Sequence, residues 1–222
     1  MMFPASAPSQ PRSGQLTVAA EGIAAAQFAR CGFDVSVQYG AEKPKYDLVV
    51  AMAGKLLKVI VKGSQDGVWN LIQPYAERGT DRAASKADYQ RGIERWLDNH
   101  GSRTVCCLVQ LDGVAIDELP RLYLATPREI AQRLRETEPG PGGLMLLDAA
   151  QRESAAQQAP APNTIPASWK FSLKRIEEIA VSQEAASLLK LPPVIENSPA
   201  RILPFPGQLA RERQPALAVG AG

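Results

Sequence analysis

The run from Thr104 to Leu111, Thr-Val-Cys-Cys-Leu-Val-Gln-Leu, is the strongest constraint on how this chain can fold. Its residues are apolar on both sides of a two-residue period, so as a strand it has almost no face to turn toward water. Such a strand belongs in the middle of a sheet with helices covering each side. The neighbouring segments supply both. Residues 16–31 are alanine-rich and read as a helix closed by Gly32. Phe33, Val35 and Val37 alternate with Asp34, Ser36 and Gln38, which is strand spacing. Gly40 to Pro44 reads as a turn, Tyr46 to Ala51 as a second strand, Ala53-Gly54 as a tight turn and Leu56 to Val61 as a third strand; residues 68–75 are a candidate fourth.

Ser85, with Asp88 three positions on, has the form of a capping box. Tyr89, Ile93, Trp96 and Leu97 then line one face of a helix. Arg121 to Ala125 reads as a strand, and Thr126-Pro127-Arg128-Glu129 as an N-cap, a proline in the first turn and a second capping box. A last helix is expected over residues 172–190. The order predicts an α/β fold, a mixed central β-sheet flanked by helices.

Proline sets the boundaries. Of eighteen in the chain, only Pro44, Pro74, Pro120 and Pro127 fall between residues 15 and 138. The expected organisation is a disordered arm over 1–14, a globular domain over 15–150, a linker over 151–167, a C-terminal helix over 168–190 and a disordered tail over 191–222. The formal net charge of +2 excludes a global basic field, so any nucleic-acid binding must be local. Cys31, Cys106 and Cys107 form neither a disulfide framework nor a zinc pattern. No apolar run approaches the roughly 18 residues of a membrane span. The expectation is a cytoplasmic protein with no membrane partner.

Three residues carry chemistry. On the first helix, Glu21 has Val18, Ala24, Ala25 and Phe28 within about 60° of it. A carboxylate among apolar neighbours calls for partial exposure, an ion pair or a metal. Asp47 stands at the start of the second strand among apolar residues, where it bonds to backbone or faces something polar. In the third strand, period 2 sets Lys58, Ile60 and Lys62 on one face and Leu57, Val59 and Val61 on the other.

The stretch from Glu21 to Lys62 resembles the PD-(D/E)XK nuclease superfamily, in particular its branch near intron-associated and archaeal junction-resolving endonucleases. The residues that carry the likeness are Glu21 in an opening helix, Cys31-Gly32-Phe33-Asp34-Val35, Tyr39-Gly40, Lys45-Tyr46-Asp47-Leu48-Val49 and Gly54 to Lys62. The resemblance implies a restriction-endonuclease-like core. It also implies a Mg²⁺-dependent (or Mn²⁺-dependent) endonuclease that hydrolyses phosphodiester bonds, with DNA as the expected partner and a homodimer as the expected means of cutting two strands. Carried over, Glu21 and Asp47 would be metal ligands, and Lys62 would position the attacking water and offset charge on the phosphorane. One position departs. Ile60 stands where the family has Glu or Gln, and isoleucine binds no metal. The site is therefore weakened, or the chain is a catalytically inactive nuclease-fold module that binds DNA or another partner. Asp66 and Gln65 are the loop residues that could substitute. Lys43, Lys45, Lys58, Arg82 and Lys86 are the candidate phosphate contacts, with Arg78, Arg91 and Arg95 more distant ones. His100, before Gly101, reads as a helix-end cap.

Overall fold

The structure is a computed structural model. It describes residues 13–38, 45–52, 54–76, 85–101, 103–137, 144–148 and 163–188. The expected terminal tail, and all but residues 13 and 14 of the expected arm, lie outside these.

Helix α1 (Ser13–Arg30) is followed by three antiparallel strands, β1 (Asp34–Val37), β2 (Leu48–Met52) and β3 (Lys55–Ser64). A two-residue strand β4 (Val68–Trp69) leads on to α2 (Lys86–Asp98), β5 (Thr104–Gln110), β6 (Arg121–Ala125), α3 (Pro127–Arg135), β7 (Leu146–Leu147) and α4 (Leu173–Leu188). The main sheet has the order β1-β2-β3-β5-β6, with β3 and β5 parallel and every other pair antiparallel. It is thus a mixed sheet flanked by helices.

Local sequence explains the joints. Gly32 and Gly54 adopt φ of 85° and 79°, which a side chain disfavours, and they let the chain reverse after α1 and between β2 and β3. Both expected capping boxes form: the Ser85 hydroxyl accepts from the Asp88 N–H, the Thr126 hydroxyl accepts from the Glu129 N–H, and each carboxylate returns to its cap backbone. All seven residues of β5 are buried, as its composition requires.

Consecutive β5 residues serve two cores on opposite faces. Val105, Cys107 and Val109 pack with Leu57, Val59 and Val61 of β3, with Ala20, Ala24 and Phe28 of α1, and with Ile176 and Ile179 of α4. Cys106 and Leu108 pack with Ile93 and Trp96 of α2, with Ile130 and Leu134 of α3, and with Trp69 and Trp169. At one point α1 comes close to the sheet: a Cβ built on Gly63 would lie 2.9 Å from the Ala20 Cβ.

Three expectations change. Within residues 68–75 only Val68 and Trp69 are strand, and they pair with β7 rather than with the main sheet. The next residues make a helical turn, in which the amides of Tyr75 and Ala76 donate to the Ile72 carbonyl. Helix α1 begins at Ser13, so residues 13 and 14 belong to it and not to the arm. The domain also continues past residue 150. The amides of Leu147 and Ile165 tie residues 163–165 to β7, and Lys170 bridges to Tyr123. Phe171 meets Phe28 edge-on, with ring centroids 5.0 Å apart. Arg175 is buried, donates to Glu129 at 2.6 Å and to the Leu124 carbonyl at 3.1 Å, and so docks α4 on the cap of α3. The last helix buries an apolar stripe that only the sheet can cover, which is why it is core and not an appendage.

Ile176 is 1% exposed. Ile176→Ala is therefore expected to destabilise the chain by about 2–4 kcal/mol, as for a large aliphatic deleted from a core. Urea denaturation measures it, and a loss below about 0.5 kcal/mol, the surface range, would show that α4 is peripheral.

Candidate functional site

The β2–β3 hairpin builds one wall of the site. The Asp47 N–H donates to the Val59 carbonyl at 2.8 Å, one step before Leu48 pairs with Val59. The Asp47 carboxylate reaches across, and its Oδ2 accepts from the Val61 N–H at 2.6 Å. This aspartate thus pins β3 at the residue before Lys62. The strand alternation then sets Ile60 and Lys62 beside it, facing α2.

Asp47, Ile60 and Lys62 line a cavity of about 570 Å³ together with Lys45, Trp69 and His100. Ile60 is 9% exposed yet belongs to neither apolar core. Lys62 is exposed, and its carbonyl accepts from the Trp69 indole N–H at 3.0 Å, which fixes the strand end against β4. The Lys45 ammonium donates to Asn99 Oδ1 at 3.0 Å.

His100 arrives from the end of α2. Its Nδ1 lies 2.5 Å from the Trp96 carbonyl, and its ring tilts against the Trp96 indole with centroids 4.4 Å apart. Burial holds its pKa below the ordinary 6.5; the Trp96 hydrogen bond opposes that, and the nearby Lys62 and Lys45 charges add to the lowering. On β5, beside Ile60, burial pushes the Cys106 thiol up to about 12, so it is an inert SH group at neutral pH.

The other described sequence candidates are not among the residues that line this cavity. Glu21 is buried, 7% exposed, on α1 next to Ala20 and Ala24, whose helix packs on the Val59/Val61 face of the sheet; it is not among the residues that line the Asp47 cavity. Val18, expected on the apolar face around Glu21, is 69% exposed, because the buried stripe runs through Ala20, Ala24 and Phe28 and leaves Glu21 at its edge. Gln65 and Asp66 line a second cavity, with Leu16, Ser64 and Asp112, that includes neither Asp47 nor Lys62. Asp66 Oδ1 accepts from the Ser64 hydroxyl at 2.8 Å and the Val68 N–H at 3.1 Å, so it organises its own turn. Lys58 stacks its ammonium 5.1 Å from the Tyr46 ring centroid. Lys86 is exposed on the first turn of α2, outside the cavity lining. Arg91 pairs with Asp88. Lys43, Arg78 and Arg82 lie outside the described residues.

Among the described residues, no group of three His, Cys, Asp or Glu side chains is placed to hold a metal ion. Nor is any helix among them long and apolar enough to cross a membrane. The expected cap role of His100 is present, but its place in the cavity is new. Its only sequence signal is a helix end just before the buried strand. Chemically the cavity offers two ammonium groups, one backbone-held carboxylate and an imidazole.

No protein-family model matches the chain, and no curated protein matches it. Among solved structures, the bacterial homing endonuclease I-Ssp6803I aligns with 16% identity and a TM-score of 0.42, over 82% of this chain and 100% of that one.

The lowered His100 pKa couples stability to pH. Between its folded value and 6.5 the unfolded chain binds more of this proton than the native one, so this contribution to stability is complete above 6.5 and declines as pH falls. Denaturant midpoints measured through that window are expected to fall on acidification, and His100→Gln is expected to flatten the decline. An identical slope in the variant would remove the coupling.

Proposed function

We propose that this chain is an endonuclease-like protein that admits a nucleic-acid phosphodiester, in the first instance DNA, into the Asp47–Lys62 cavity, with hydrolysis weakened at Ile60. One observation carries the reading: Asp47, Ile60 and Lys62 share one cavity wall, in the strand positions where the resembled nucleases keep their carboxylate, their second ligand and their lysine. The ammonium of Lys62 would offset the charge of a phosphate and hold a water toward it. Lys45 at the rim would add sequence-independent attraction.

Among the described residues that line the cavity, Asp47 is the one carboxylate. Asp47 offers the hard oxygen that Mg²⁺ prefers, but Ile60 offers none and Glu21 lies off the cavity lining. Among the described residues there is no three-ligand group. No step is therefore assigned to a metal. This favours, as the second reading, a module that binds DNA and no longer cuts it.

The experiment is Ile60→Glu. The new carboxylate would stand on the cavity wall beside Asp47. Without metal it should lower stability by at least about 1 kcal/mol, as a desolvated acid does. With Mg²⁺ or Mn²⁺ the melting temperature should recover, and nicking of plasmid DNA should exceed that of the parent. Metal rescue without nicking in either protein selects the binding module. No rescue by any divalent ion would sink the catalytic assignment. Lys62→Ala should weaken DNA binding, read by fluorescence anisotropy, and unchanged affinity would remove Lys62 from the site.

A further inference from the structure

His100 is the single histidine of the chain, and the reading above gives it no role. Its setting is specific. The Trp96 carbonyl can only accept, so Nδ1 carries the proton and Nε2 keeps a lone pair. The ring leans on the Trp96 indole and follows a helix end in which the Asn99 and His100 amides donate to the Trp96 and Leu97 carbonyls. It lines the same cavity as Lys45 and Lys62. The neighbouring Asn99 is the acceptor of the Lys45 ammonium, so the end of α2 joins the imidazole to the lysine rim.

We propose that His100 is a proton-linked anion ligand of this cavity: a neutral imidazole in the protein alone, it takes up a proton when a phosphodiester oxygen enters and then donates to that oxygen from Nε2. The inference rests on the phosphodiester reading of the cavity and adds the residue that makes binding depend on pH. The proton comes from solvent, and no other bond forms or breaks.

The electrostatics favour this coupling. Among the described residues, the charged groups that line the cavity are Lys45 and Asp47 from the segment ahead of β2 and Lys62 from β3. Tyr75, after β4, is the other titratable lining residue among those described, while Arg95 and Asp98 on α2 itself are exposed and are not among the lining residues. Lys45 and Lys62 both oppose a charge on His100, as burial does. An anion placed among the three reverses both effects. It screens the ammonium groups and gives the imidazolium an acceptor in a half-buried site, where a charge-assisted hydrogen bond is strongest.

A lone histidine makes the test direct, because its Cε1 proton gives one NMR signal to follow against pH. The probes are sulfate and a short DNA duplex, both without a proton to exchange in the histidine range. They are compared with sodium chloride at matched ionic strength, without divalent metal, so no cleavage intervenes. The His100 midpoint should lie below 6.5 in chloride and rise with either probe. Either probe should bind several-fold more tightly near pH 5.5 than near pH 8, a gain that approaches about tenfold below the free midpoint for a midpoint raised by about one unit. His100→Gln should bind like the parent near pH 8 and lack the gain at acid pH. If that variant fails to fold, Lys45→Met provides an independent check, since removing this cation should raise the His100 midpoint in chloride. Binding of sulfate or duplex with an unmoved His100 midpoint overturns the proposal and leaves the DNA-binding reading standing. Sulfate binding with the midpoint raised, but no affinity for the duplex, upholds His100 as an anion ligand and overturns the nuclease-like reading. No binding of either probe at any pH overturns both.

Discussion

The parallel pairing of β3 with β5 is the constraint on which the rest of the structure depends. Two parallel strands cannot be joined by a tight turn, so the chain must leave the end of β3, cross one face of the sheet and return to the start of β5. Helix α2 makes that return. It delivers the chain beside the middle of β3: the Lys58 amide donates to the Arg103 carbonyl, and Lys58 pairs with Thr104. The end of α2 must therefore stand next to Ile60, Asp47 and Lys62. The cavity is a consequence of the crossover, and Asn99 and His100 lie in it because a helix that starts at Ser85 and packs through Ile93 and Trp96 ends there.

The two faces of the sheet are closed in different ways. On one, α1 presses so near that Gly63 has no room for a side chain, and α4 fills the remainder with Ile176 and Ile179. On the other, Trp69 and Trp96 seal the centre, and polar groups collect where the packing stops. Asp47 links the two roles. Its carboxylate satisfies the Val61 amide and so holds the strand whose next residue is Lys62. A change at Asp47 would act on strand geometry as well as on any ligand, and the two effects can be separated only by measuring both.

Polar side chains also carry the long-range joints. Glu129 accepts from the Thr126 cap and, through its other oxygen, from Arg175 forty-six residues later, so one capping box also anchors the last helix. Asp148, 1% exposed, accepts from the Tyr123 hydroxyl and the Arg121 guanidinium and fastens the β4–β7 pair to the edge of the main sheet. Buried carboxylates with satisfied donors of this kind order a structure more than they drive its folding.

By itself the sequence determined whatever depends on neighbours along the chain. The two capping boxes, the turn glycines, the burial of β5 and the face shared by Ile60 and Lys62 were all legible, because caps, turns and a two-residue period are local. The mixed sheet with helices on both faces followed from their order. Tertiary structure alone decided which distant pieces meet. It assigned Val68 and Trp69 to a small separate sheet, moved the domain boundary beyond residue 150 by docking α4, and drew His100 to a lysine thirty-eight positions away in sequence. The physical reason is the same in each case. Spacing along a chain fixes which side of an element a residue occupies, whereas the distance between two elements depends on how their apolar faces pack, and no local pattern encodes that.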